Sequence, residues 1–275
     1  MVMNNYLKTG VLLAVLTAIL VFVGYVIGGN NGAVFFFLVS LILNFVTLWY
    51  SDSIALRMAR ATILEETQAQ NIFLDIRELS YGMGIPMPRV FVSPEEQPNA
   101  FATGRSPSHS AICVTQGLLK LLDRNQIRAV LAHELGHIKN RDTLLATIAS
   151  VFAGTISSLG HILMFKDSED RGGASQLLTI ILAPIAAGLI QLAISRSREY
   201  AADETGARIS HQAEDLAQAL IKIDGAIRGT PMRVTNPALS SLFIENPFKG
   251  SKVREIFSTH PSTENRVKKL RSMIL

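Results

Sequence analysis

The sequence predicts a mainly α-helical protein, an integral-membrane bundle of about four transmembrane helices with its hydrophilic parts on the cytoplasmic side. Three observations predict it. Charged residues make up 17% of the 275 residues and hydrophobic ones 48%, whereas a soluble domain carries about 25% charged residues. Several uncharged windows are long enough to cross a bilayer. Lys and Arg residues crowd the hydrophilic stretches and avoid the turn between the first two windows.

No charged residue falls between Lys8 and Asp52. About 20 apolar residues cross a hydrocarbon core of about 30 Å, so this run holds two crossings, expected at 10–27 and 33–50. Gly28, Gly29, Asn30, Asn31 and Gly32 mark the turn between them, and Trp49 and Tyr50 sit at the interface. A cleaved signal peptide fits less well, because the apolar run exceeds the usual length and a second run follows at once. Two further uncharged windows, 143–165 and 172–195, are separated by Lys166, Asp167, Ser168, Glu169, Asp170 and Arg171. They read as a second helical hairpin. Their Gly, Ser and Thr content leaves burial in a soluble core as the alternative. His161 and Pro184 fall inside them, and His161 reads as a packed polar residue facing other helices.

The region 51–142 contains Arg57, Arg60, Arg77, Arg89 and Arg105 among its basic residues, whereas the first turn carries no charge. By the positive-inside rule, the hydrophilic parts and both termini face the cytoplasm. The chain divides into an N-terminal transmembrane hairpin (1–52), a first cytoplasmic part (53–142), a second hydrophobic hairpin (143–195) and a second cytoplasmic part (196–275). Mean hydropathy is +0.29. The net charge of +4 comes without a long basic run or an interleaved aromatic platform, which argues against a nucleic-acid partner and for anionic lipid headgroups. Cys113 is the single cysteine, so no intrachain disulfide forms; one thiol fits a reducing compartment.

The chemistry is concentrated in His133-Glu134-Leu135-Gly136-His137. Ile127, Val130, Leu131, Leu135 and Ile138 recur at helical spacing, and Asp123 is a suitable N-cap. Residues i and i+4 share a helix face, so the two imidazoles can grip one Zn²⁺. Glu134 then projects beside the metal, placed to take a proton from a water. A surface helix with two solvated histidines is the bland alternative; the apolar residues woven through the motif argue against it.

Zinc needs a third protein ligand. A close-spaced third histidine is ruled out, because Thr143 stands where it would be. His161, Glu199, Glu204, His211 and His260 remain as candidates, with His161 deep in an apolar window. Glu199 and Asp203 share a helix face at i, i+4, so that one would bind metal while the other orients a ligand histidine. Topology favours this pair. His137 lies six residues before the third window and Glu199 four after the fourth, so both lie within roughly 10 Å of one membrane face. An antiparallel hairpin would bring them together.

At these residues the chain resembles the HtpX-like family of membrane zinc metalloproteases, relatives of the CAAX prenyl proteases. The resemblance covers nearly the whole chain. It includes the hydrophobic pairs, the run Pro98-Asn99-Ala100-Phe101-Ala102-Thr103-Gly104, the His133–His137 motif, the run from Glu199 to Asp203, and Thr259-His260-Pro261-Ser262-Thr263-Glu264-Asn265-Arg266-Val267. It implies a zincin-like cytoplasmic domain with a small β-sheet, and one Zn²⁺ per chain on His133, His137 and Glu199. Glu134 would be the base and Asp203 a support behind a ligand. His260 and Arg266 would lie near the site and stabilise the oxyanion formed on attack; their bland reading is a helix start capped by Ser262 or Thr263. Asn99, Ala100, Phe101, Ala102 and Thr103 would form a strand beside the cleft, available to pair with an extended substrate. Loops are expected between residues 229 and 261.

The function these readings favour is zinc-dependent endopeptidase activity on unfolded or misfolded proteins, membrane proteins among them, in quality control at the cell (inner) membrane. A catalytically inactive zinc-binding scaffold or sensor is the alternative, for which Glu134 would be superfluous. A channel or transporter would need ionisable groups in the spans, where only His161 stands out. Substrate identity and oligomeric state are not written in the sequence.

Overall fold

The computed structural model describes residues 2–152, 195–229, 244 and 261–273. His161, nearly all of the second predicted hairpin, most of the expected loops between 229 and 261, and His260 lie outside the described residues.

Helix α1 (Val2–Met58) is two helices broken at Gly28 and Gly29. Gly29 takes φ 59° and ψ −144°, a conformation that residues with a Cβ avoid. The Gly/Asn-rich turn anticipated over five residues is therefore a two-glycine break, after which the helix resumes at once. Asn44 Nδ2 donates to Thr17 Oγ1 across the hairpin at 2.9 Å. Among the described residues, two stretches are long and apolar enough to cross a membrane, Leu7–Val26 and Gly28–Met58. Apolar side chains such as Phe22, Val26, Phe35 and Ile42 point outward, as lipid-facing residues do.

The second stretch has 31 residues, about 47 Å of helix, more than a bilayer core of about 30 Å needs. Its end enters the polar domain. There Ala55, Leu56 and Ala59 pack with Phe91, Phe101, Ala111 and Cys113. The helix thus continues past residue 52, and its last turns lie against the sheet.

Among the described residues that sheet has four strands in the order β1-β2-β4-β3, with β1 and β3 at its edges. The strands are β1 (Thr62–Ile63), β2 (Arg89–Ser93), β3 (Ala100–Ser106) and β4 (His109–Thr115). β2 runs parallel to β4, while β1–β2 and β3–β4 are antiparallel. Around it lie a short 3₁₀ turn (Glu66–Gln68), α2 (Gln70–Met83), α3 (Gln116–Leu121) and α4 (Arg124–Lys139). One core joins α2 (Ile76, Leu79), β4 (Ile112, Val114) and α4 (Val130, Leu131, Leu135) to α7 (Ala213–Gly229; Leu216, Leu220) and α8 (Thr263–Arg271; Leu270). The two polar parts, far apart in sequence, are thus one packed body.

The start of the third apolar window is helix α5 (Thr143–Phe152). Thr143 Oγ1 donates to the Gly104 carbonyl at 2.9 Å, and Thr147 Oγ1 meets Thr103 Oγ1 at 3.0 Å. Leu144, Leu145 and Ile148 pack on Leu12 and Leu16 of α1. These contacts tie β3, α5 and the first span together beside the end of α4.

Candidate metal centre

Helix α4 begins as its sequence directs. Asp123 caps it, accepting from Gln126 N at 3.0 Å, while the Gln126 side chain accepts from Asp123 N at 3.3 Å. This reciprocal cap satisfies two otherwise orphaned donors. His133 and His137 fall one turn apart on its buried side. Helix α6 (Arg196–Ser210) crosses here at close range. A Cβ on Gly206 would lie 2.8 Å from His133 N, and one on Gly136 would lie 3.0 Å from the Ala202 carbonyl oxygen. Only residues without side chains allow that approach, and it carries Glu199, in the first turn of α6, to the imidazoles.

The two Nε2 atoms are 3.2 Å apart. Glu199 Oε1 lies 3.6 Å from His137 Nε2, and Oε2 lies 3.7 Å from His133 Nε2. Donors about 2.0–2.1 Å from a tetrahedral zinc are about 3.3 Å from one another. The three side chains thus have the separations, and the nitrogen and oxygen atoms, that such an ion takes. No fourth His, Cys, Asp or Glu joins them among the described residues.

Each imidazole has its other nitrogen on a carboxylate. His133 Nδ1 donates to Asp203 Oδ1 at 2.9 Å, and His137 Nδ1 to Asp142 Oδ2 at 3.2 Å. These bonds anchor the Nδ1 side of each ring and turn both Nε2 atoms toward Glu199. Burial opposes charge on His137, but Asp142, Glu199 and Glu134 outweigh it and push the imidazole up to about 9. A pocket with that bias favours a cation. Burial also works to raise the Asp203 carboxyl; the Arg266 charge, with the hydrogen bonds from His133 and Arg266, overcomes it and holds Asp203 well below the usual carboxylate range.

Arg266, on α8, is fully buried. Its Nε donates to Asp203 Oδ2 at 2.9 Å, Nη2 to Asp203 Oδ1 at 2.7 Å, and Nη1 to the Ile244 carbonyl at 2.9 Å. It grips the carboxylate that orients His133, and its Nη1 lies 3.6 Å from Glu199 Oε2. The helix start read as the bland alternative is present as well, since Ser262 Oγ accepts from Asn265 N at 3.2 Å.

Glu134 is buried beside the histidines. Burial pushes its carboxyl above the usual range and Glu199 adds to this, while His133, His137 and a hydrogen bond from the Ala102 N–H pull it back. Ala102 belongs to β3, an edge strand of the sheet, so the strand expected beside the cleft abuts this carboxylate. Ala100, Phe101, Ala102 and Thr103 are in the strand and Asn99 precedes it. The Asn99 side chain accepts from Ile244 N at 3.0 Å.

Two other candidates for third ligand are elsewhere: Glu204 pairs with Arg208 at 3.1 Å on the outer face of α6, and His211 is the exposed left-handed cap of that helix. Sequence reasoning missed Asp142. Its signal was an acidic residue five positions after His137, immediately before an uncharged window; a buried carboxylate in such a place needs a partner.

Residues 64–274 match Peptidase family M48. A protein of Pelotomaculum thermopropionicum named Protease HtpX homolog is 50% identical, over 99% of this chain and 100% of its own length. A Protease HtpX homolog of Pyrococcus furiosus is 49% identical, over 98% of this chain and 96% of its own. The crystal structure of S. mikatae Ste24p superimposes with a TM-score of 0.53 at 17% identity, a likeness of fold that covers 98% of this chain and 65% of that one. A whole-length likeness to HtpX homologues, together with a histidine pair and a glutamate at metal-binding separations, leads to one assignment: the chain belongs to peptidase family M48, as a membrane metalloprotease.

Proposed function

We propose that the protein is a zinc-dependent endopeptidase of the cell (inner) membrane that hydrolyses unfolded or misfolded polypeptides, with its site on the cytoplasmic side. The observation that carries this reading is the convergence of His133 Nε2, His137 Nε2 and a Glu199 oxygen within 4.8 Å of one another, with Glu134 alongside. Three protein donors converge among the described residues, which leaves a coordination position for water or substrate, whereas a structural zinc site closes all four with protein atoms. That difference favours the enzyme over the scaffold.

A zinc ion held there supplies Lewis acidity, polarising the scissile carbonyl and making a water nucleophilic near neutral pH. The chain's own residues do the rest. Glu134 accepts a proton from the attacking water and returns it to the leaving nitrogen. Burial helps, because it brings the carboxyl nearer the operating pH. Asp203 and Asp142 keep the imidazoles in one tautomer and one orientation. Arg266, through Asp203, positions His133. His260 keeps the oxyanion-stabilising role that the family resemblance gives it. An extended substrate adds to the β3 edge through backbone hydrogen bonds, a mode of binding open to unfolded segments. The outward apolar hairpin and the basic residues in 51–142 support a multi-pass placement with this domain inside the cell, against anionic headgroups.

Chelator treatment of the purified chain in detergent is expected to abolish cleavage of an unfolded casein substrate, and added Zn²⁺ to restore it. Zinc bound at one per chain with no cleavage would favour the scaffold; cleavage indifferent to chelator would remove the metal from the reaction.

A further inference from the structure

The first transmembrane helix starts beside the metal site, and one of its side chains reaches the groups that orient a ligand. Asn5 lies in the opening turns of α1 and is 5% exposed. Its Nδ2 donates to Asp142 Oδ1 at 2.8 Å and lies 3.4 Å from the Arg141 carbonyl oxygen. Asp142 is itself buried and places its other oxygen, Oδ2, on His137 Nδ1 at 3.2 Å. The Asp142 N–H donates to the His137 carbonyl at 3.0 Å. The Asn5 amide thus turns its nitrogen, a donor, toward an accepting oxygen of Asp142.

We propose that Asn5 is a positioning residue of the metal centre, acting through Asp142 to fix the His137 imidazole, so that the membrane hairpin is part of the site. This rests on reading His133, His137 and Glu199 as metal ligands. The physical reason lies in the Asp142 side chain. The terminal torsion of a carboxylate is broad and weakly held. With one oxygen tied to Asn5, the other stays on Nδ1; without Asn5, the carboxylate turns and the imidazole loses its fixed partner. The loss also leaves Oδ1 buried without that donor, which costs the desolvation of the group. Leu12 and Leu16 pack on Leu144, Leu145 and Ile148, which holds the first span and the segment after Asp142 in register. The contact from Asn5 joins residues 137 apart in sequence, so it exists only when the hairpin and the polar domain are assembled. A device of this kind ties the metal site's integrity to correct membrane insertion.

The test uses the full chain in detergent, with Co²⁺ as the probe, its affinity from chelator competition and its ligand geometry from the visible absorption band. Asn5→Ala and Asn5→Ser are compared with Asp142→Asn and with the double variant Asn5→Ala/Asp142→Asn; the serine variant provides a milder change should the alanine one not fold. Loss of a group that orients a metal-bound histidine weakens affinity about 10–100-fold. We expect Asp142→Asn to fall in that range and the Asn5 variants near its lower end, with a shifted absorption band. The double variant should be no weaker than Asp142→Asn alone, since residues acting along one route are not additive. Unchanged affinity and spectrum in folded Asn5 variants would overturn the proposal, and so would additive losses in the double variant. Failure of the unsubstituted chain to bind Co²⁺ would overturn both the proposal and the metal-site reading, which separates that failure from one confined to Asn5.

Discussion

Glu134→Gln is expected to lower kcat for cleavage of an unfolded polypeptide by about 10²–10⁴-fold, the usual contribution of a general base, while the bound metal stays in place. The substitution is nearly isosteric. Glu134 is not among the donors that converge on the metal position, so affinity for the ion should hold. A glutamine also keeps an oxygen to accept the Ala102 N–H that the carboxylate now accepts, so β3 should stay where it is. What the amide lacks is the capacity to take up a proton. KM should therefore change little, as it does when an interaction made only in the transition state is lost. Steady-state kinetics beside a metal determination decides the matter, and undiminished turnover in a zinc-loaded variant would refute the role given to Glu134.

Arg266→Met is expected to destabilise the folded chain by about 3–5 kcal/mol, the cost of breaking a buried ion pair from one side. Arg266 and Asp203 are 0% and 1% exposed, and two guanidinium nitrogens lie on the carboxylate at 2.9 and 2.7 Å. Removing the cation strands a charge where water cannot reach it. Removing both, as Arg266→Met/Asp203→Leu, should recover most of the stability, because apolar groups of similar volume replace buried pairs at little net cost. It should not recover metal affinity, because His133 Nδ1 would still lack its carboxylate. The loss in the single variant also depends on pH. A carboxyl with a depressed folded pKa contributes its stability above the ordinary value of 3.8 and loses it as pH falls through the folded one. The gap between wild type and Arg266→Met should therefore be full near neutrality and shrink below about pH 4. Thermal unfolding of both variants at two pH values, with chelator competition, checks each part. A single variant as stable as wild type would show that Arg266 does not carry the pair.

What the sequence disclosed was local. The His133–His137 pair is one helical turn, and Asp123, Gln126 and the apolar spacing write that helix into adjacent residues. The α1 hairpin follows from an uncharged run and two glycines. Glu199 and Asp203 were legible as a pair on one helix face. The rest depends on contacts between distant residues, where a one-dimensional pattern gives little. Nothing near Asp142 announces Asn5, which lies in another element. The parallel pairing of β2 with β4 brings together strands separated by β3, and only part of β3 had been anticipated, through the family resemblance. The approach of α6 to α4 turns on Gly206 and Gly136, which in sequence read as ordinary helical glycines. Arg266 was placed at the site through the resemblance, but its contacts with Asp203 and Ile244 required coordinates.

X-ray absorption at the zinc edge, on the full chain and on Glu199→Ala, tests the central claim most directly. The account predicts one zinc per chain with imidazole nitrogens and carboxylate or water oxygens at about 2.0–2.2 Å, and an altered shell with weakened binding in the variant. An identical shell and identical affinity after loss of Glu199, or a zinc without imidazole neighbours, would contradict it.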